Sequence, residues 1–101
     1  MVTYKQMPNY VLENVGEDHV LIMVSNRGNE DLFVYVFNDS GAFIWQNLAE
    51  KKSREQLVKL VMDKYGIAYQ RAESDVDSFL AKSITEGFIS EIEEGNENVS
   101  L

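Results

Sequence analysis

Apolar residues follow two rhythms along the chain, and the change falls near position 38. Tyr10 to Val15 is short and rich in β-formers. Val20 to Val24 is a continuous apolar run too short for a helix, and Asp31 to Phe37 is apolar from Leu32 onward. Gly16-Glu17-Asp18 and Ser25-Asn26-Arg27-Gly28-Asn29 separate these segments with residues that accept turn geometry. The pattern predicts three antiparallel strands joined by short turns, a meander. In the third strand, alternation puts Leu32, Val34 and Val36 on one side and Phe33, Tyr35 and Phe37 on the other. Both sides are apolar, whereas a half-buried surface strand alternates with polar residues. Either the fold covers both faces, or a partner covers one. Tyr35, with its polar tip, suits a place where one end stays wet.

Beyond position 38 the apolar spacing becomes helical. Asp39 or Ser40 is placed to cap a helix over 41–49, with Phe43, Ile44 and Leu48 on neighbouring rows and Trp45 as the largest anchor. Ser53 followed by Gln56 is a capping-box pattern. It opens a second helix carrying Leu57, Val58, Leu60, Val61 and Tyr65 inward, and Gly66 ends it. A third helix starts at Tyr69 or Gln70. Tyr69, Ala72, Val76, Phe79, Leu80 and Ile84 form its apolar stripe, and Arg71, Glu73, Asp75, Asp77 and Lys82 its outer face. Gly87 stops this helix, with Phe88 folding back onto the last turn. From Glu91 the apolar pattern ends. Glu91, Glu93, Glu94 and Glu97, with Gly95-Asn96 among them, read as an acidic disordered tail. The expectation is an α+β fold, a three-stranded meander followed by three helices, with one domain over 1–90 and a tail over 91–101.

Composition narrows the function classes. The 101 residues suffice for a single modest core. There is no cysteine, which excludes disulfides, thiolate chemistry and cysteine-ligated metal sites and fits a reducing compartment. The first eight residues are neither basic nor a long apolar run, so no signal peptide is visible. The longest apolar stretches fall far short of the roughly 20 residues that span a bilayer. These features predict a soluble cytoplasmic protein without a membrane partner. The net charge of −8 disfavours binding to nucleic acid, and the cluster Lys51-Lys52 with Arg54 reads as a solvated loop.

Candidate chemistry is sparse. His19 is the single histidine and has no nucleophile motif to serve. The pairs Glu17-Asp18, Glu30-Asp31, Asp75/Asp77 and Glu93-Glu94 fall in turns, on an outer helix face or in the tail, not in a pocket that would shift their pKa values. Gly28 and Gly41 stand alone and open no phosphate-binding loop. No enzyme, cofactor or metal site is expected.

The string Phe37-Asn38-Asp39-Ser40-Gly41-Ala42-Phe43-Ile44-Trp45 resembles the L-N-x-T-G-x-x-I-W signature of the PqqD-like family, the coenzyme pyrroloquinoline-quinone synthesis protein D group. Ser53 with Leu57, Tyr65, Asp75-Val76 with Phe79-Leu80, and Gly87-Phe88-Ile89 continue the resemblance in order and spacing, over about Tyr10 to Ile89. The chain differs at Phe37 for the usual Leu, Ser40 for Thr, Glu50 or Lys51 where Gly is common, and Ser83 at a frequent Leu position. The resemblance implies a winged-helix-like domain that binds the leader segment of a ribosomally made precursor peptide. Such a domain presents its client to a modifying enzyme, often a radical S-adenosylmethionine enzyme. The leader adds as a strand beside the third strand and third helix, which makes Leu32, Phe33, Val34, Tyr35, Val76, Phe79, Leu80 and Ser83 the expected peptide-binding residues. The residues themselves leave two alternatives open, a homodimeric scaffold burying the two-faced third strand and a winged-helix nucleic-acid binder.

Overall fold

The computed structural model describes residues 1–24 and 31–94, and for Asp31 to Val34 the backbone alone. Its elements are β1 (Val2–Gln6), β2 (Tyr10–Val15), β3 (Asp18–Val24), β4 (Asp31–Phe37), α1 (Asp39–Asn47), β5 (Lys52–Ser53), α2 (Arg54–Tyr65), α3 (Tyr69–Glu86) and β6 (Ile89–Glu93). They form two three-stranded antiparallel sheets, in the orders β2-β3-β4 and β5-β1-β6. The first is the expected meander. The second was not expected, because each of its strands is short or polar and finds its partner far along the chain.

Two expectations are corrected by this second sheet. The fold has six strands among the described residues, not three. The tail does not begin at Glu91, since Glu91, Ile92 and Glu93 pair with Tyr4, Thr3 and Val2 in β6. There the two glutamates are exposed while Ile92 between them is half-buried, an alternation of period two that a search for helical stripes overlooks. The Met1 ammonium and the Lys51 side chain both hydrogen-bond Glu94, holding the end of this strand. Residues 95–101 and the expected turn over 25–29 lie outside the described residues.

The helix ends follow from local chemistry. α1 begins at Asp39, and its cap is Asn38 rather than Asp39 or Ser40: the Asn38 Oδ1 accepts from the Gly41 amide at 2.8 Å. Any larger residue at 41 would press its Cβ to 3.0 Å from that Oδ1 and 3.1 Å from the Phe37 ring. Asn38 and Gly41 are therefore one device for turning β4 into α1. The Ser53–Gln56 capping box is present at α2, and Gly66 ends that helix at φ 63°. At the end of α3 the Phe88 amide donates to the Ser83 carbonyl and the Gly87 amide to that of Ile84, the Schellman pattern. Leu60 is only half-buried, and Tyr65, Tyr69 and Ile84, read as inward, are exposed.

Phe37 organises the core. Its ring lies 6.1 Å from Trp45, 5.6 Å from Phe79, 6.1 Å from Phe88 and 5.2 Å from Tyr35. Offset and edge contacts of this kind add to the burial of the aromatic surface itself. Around this cluster pack Leu21, Ile44, Leu48, Leu57, Val61 and Val76, all essentially inaccessible to solvent. Arg54 at the start of α2 grips Asp77 through Nε and Nη2 and Glu73 through Nη2, at 2.7–2.9 Å, and so fixes α2 against α3.

Candidate functional site

β4 pairs with β3 on one side only, so its other edge is open among the described residues. An open cleft of about 320 Å³ runs along that edge. One wall is β4 and its turn into α1, contributing Tyr35, Val36, Phe37, Asn38, Ser40 and Gly41. The other is one row of α3, contributing Asp75, Ser78, Phe79 and Lys82. The two walls run in opposite directions. The Lys82 ammonium lies 5.2 Å from the Tyr35 ring centre, Phe79 meets Phe37 mid-way, and Asp75 shares a neighbouring depression of about 460 Å³ with Asn38, Asp39 and Ser40. The buried rings of Phe37 and Phe79 give the cleft an apolar base with a cation at one end and a carboxylate at the other. Among the described residues each charge has only a loose partner on its own helix, Asp75 with Arg71 at 3.9 Å and Lys82 with Glu86 at 3.6 Å.

The structure distributes the eight expected peptide-binding residues unevenly. Tyr35 and Phe79 line the cleft. Val76, Leu80 and Ser83 are buried and face the core beneath it. Leu32, Phe33 and Val34 belong to β4, but their side chains are not among the described parts of the molecule. The register adds one feature there. Leu21 pairs with Tyr35 and Ile22 with Phe33, which leaves Val34 as the extra residue of a bulge. The alternation read from the sequence is interrupted at that point.

Lys82, Ser78 and Asp75 were missed because the apolar stripe drew attention to the buried rows of α3. The signal lay one row over: 75, 78, 79 and 82 follow the i, i+3, i+4, i+7 spacing of a single helix face.

Outside the cleft, His19 bridges the β2–β3 hairpin to α1, with Nε2 2.7 Å from Asp39 and Nδ1 2.8 Å from Asn14. The depression around it is lined by Asn14, Asp39, Ala42, Phe43, Gln46, Lys64 and Tyr65. Among the described residues no group of three or more His, Cys, Asp or Glu could hold a metal ion, and no helix is long and apolar enough to cross a membrane. The perturbed groups serve packing. Hydrogen bonds from Arg54 hold the Asp77 carboxyl below its ordinary range, and the bonds to Asp77 and Glu73 push the Arg54 guanidinium further up. Burial raises the phenol of Tyr4.

These features define a class: a small α+β domain whose open sheet edge and neighbouring helix form the walls of an extended cleft. The chain belongs to the PqqD family. The family model described as coenzyme PQQ synthesis protein D (PqqD) matches residues 19–89, from β3 to the first residue of β6. Among solved structures the fold is similar to that of TbiB1, determined in complex with the TbiA(β) leader peptide. That similarity has a TM-score of 0.63 at 20% identity and covers 85% of this chain and 94% of that one. No curated protein matches the chain.

Proposed function

We propose that the protein is a non-enzymatic module that captures the leader segment of a ribosomally synthesised precursor peptide by strand addition and presents it to a modifying enzyme, of the radical S-adenosylmethionine type. The observation that carries this reading is the open edge of β4 running beside α3 over an apolar base. A strand edge offers a ladder of main-chain donors and acceptors, which supplies affinity, and the pockets beside it select side chains. Membership of the PqqD family and the fold shared with a leader-peptide-bound protein support the same reading. The test is an amide-resolved NMR titration with synthetic N-terminal segments of short reading frames encoded beside the gene. Saturable shifts along Tyr35–Asn38 and Asp75–Lys82 are expected. Ser78→Trp, which fills the cleft from an exposed position, should abolish them, and Lys52→Glu should leave them unchanged. Shifts that survive Ser78→Trp would place the peptide elsewhere.

A second reading, a homodimeric scaffold, is favoured by the outer face of the β2-β3-β4 sheet. There Val11, Val15 and Val36 are 42%, 57% and 43% exposed on one side of the sheet. Exposed apolar side chains gathered on one face, here around the exposed Glu13, can mark an interaction site. A monomer in sedimentation at tens of micromolar would remove this reading.

A further inference from the structure

Resting on the docking reading above, we infer that Asp75 and Lys82 set the order of charges in the peptide that the cleft accepts: a basic residue, then an apolar one, then an acidic one. The two side chains stand on one row of α3, seven positions apart and at opposite ends of the cleft. With a rise of 1.5 Å per residue the helix separates them by about 10 Å. An extended peptide advances about 3.3 Å per residue and returns to the same face every second residue. The complementary charges of a bound segment therefore lie two to four residues apart, the flexible lysine stem covering the difference. Between them a side chain of that segment meets Phe79 and Phe37.

The direction follows from the sheet. Every strand pair among the described residues is antiparallel. A peptide added to β4 in the same sense runs from the Asp75 end toward the Lys82 end, because Tyr35, opposite Lys82, precedes Asn38, near Asp75, along β4. The basic residue is then N-terminal to the acidic one. Before binding, the ammonium of Lys82 leans over the Tyr35 ring and is loosely held by Glu86, so it crosses the entrance to the cleft at that end. An arriving carboxylate replaces a weak cation–π contact with a charged pair in a site from which the peptide excludes water.

The experiment is selection of a displayed library of random 15-residue peptides on the parent protein and on the charge-swapped variant Asp75→Lys with Lys82→Asp. NMR of the best peptide locates it. Both substitutions are on the cleft surface, and far-ultraviolet dichroism checks that the variant is folded. Peptides from the parent should share the base–apolar–acid order. The swapped protein should bind them roughly tenfold more weakly and recover affinity when the peptide charges are exchanged. Peptides that shift the cleft amides but carry no charge order, or that bind the swapped protein equally well, overturn the inference and leave the docking reading standing. If no peptide shifts those amides, both fall.

Discussion

Ser83 offers a direct test of how the third helix is set into the core. The residue is fully buried, and its Oγ has no hydrogen-bond partner among the described residues. A buried hydroxyl without a partner costs about 1–3 kcal/mol by mutational measures. Replacing it by alanine removes that cost and adds roughly half a kcal/mol of helix propensity in mid-helix. Against this stands the void left by one oxygen, on the order of 10–15 Å³, which at about 24 cal/mol per Å³ costs only a few tenths of a kcal/mol. Ser83→Ala should therefore stabilise the protein by about 1–3 kcal/mol. For a domain of this size that raises Tm by roughly 5–25 °C, readable by thermal and urea unfolding followed by dichroism. The Ser83 carbonyl, which accepts from Phe88, is untouched by the change. Because the side chain faces the core and not the cleft, peptide affinity should not move. A variant less stable than the parent would show that the hydroxyl has a partner and that the packing under the cleft is misread. A stabilised variant that lost peptide binding would put Ser83 in the cleft after all.

Other outcomes follow from the second sheet and from the Arg54 clamp. Ending the chain after Ser90 removes the partners of Val2, Thr3 and Tyr4 along with half-buried Ile92. At about 1 kcal/mol for each hydrogen-bonded pair, Tm should fall by 10 °C or more, and an unchanged Tm would mean that β6 does not hold β1. Asp77 has its carboxyl depressed by Arg54, so its contribution is present above the unfolded value near 3.9 and is lost as pH falls through the lower folded value. Asp77→Asn should be less stable than the parent at pH 7, by at most about 1 kcal/mol because the carboxylate is half exposed, with the difference vanishing near pH 2. A gap that persisted at pH 2 would assign the effect to packing.

The parts of the fold that could be read from the sequence are those whose signals are local. The Ser53–Gln56 box, Gly66, and Gly87 with Phe88 each act within a few residues, and each appears where the spacing places it. The meander could be read because Gly16 and the short apolar runs flank one another. β1, β5 and β6 could not, since Thr3 meets Ser53 and Ile92 only through tertiary structure. The cap of α1 was misplaced by one or two residues because Asn38, Asp39 and Ser40 are all competent caps. What decides between them is the close fit of Gly41 against Asn38 and Phe37, a three-dimensional fact. The same limit applied to the cleft. The apolar stripe identified the helix that forms its wall, but Val76 and Leu80 in that stripe are buried, and the exposed row beside it carries the charges.

The sheet β2-β3-β4 leaves both of its outer strands without a further partner among the described residues, and the two edges are not equivalent. An unpaired edge invites other sheets to continue it, the usual route to aggregation. Beside β4 stands the row Asp75, Ser78, Phe79 and Lys82 of α3, which forms the facing wall of the cleft. On the docking reading proposed above, a strand added there would lie about 4.8 Å from β4, between it and α3. The bulge at Val34 interrupts the regular register of the same strand, and bulges increase local twist. The net charge of −8 further opposes association between copies. On that reading a helix standing beside the edge limits how far the sheet can be continued, as a reversible peptide-docking site requires. Selectivity must then come from the few side chains on the helix wall, because the main-chain ladder is the same for every peptide.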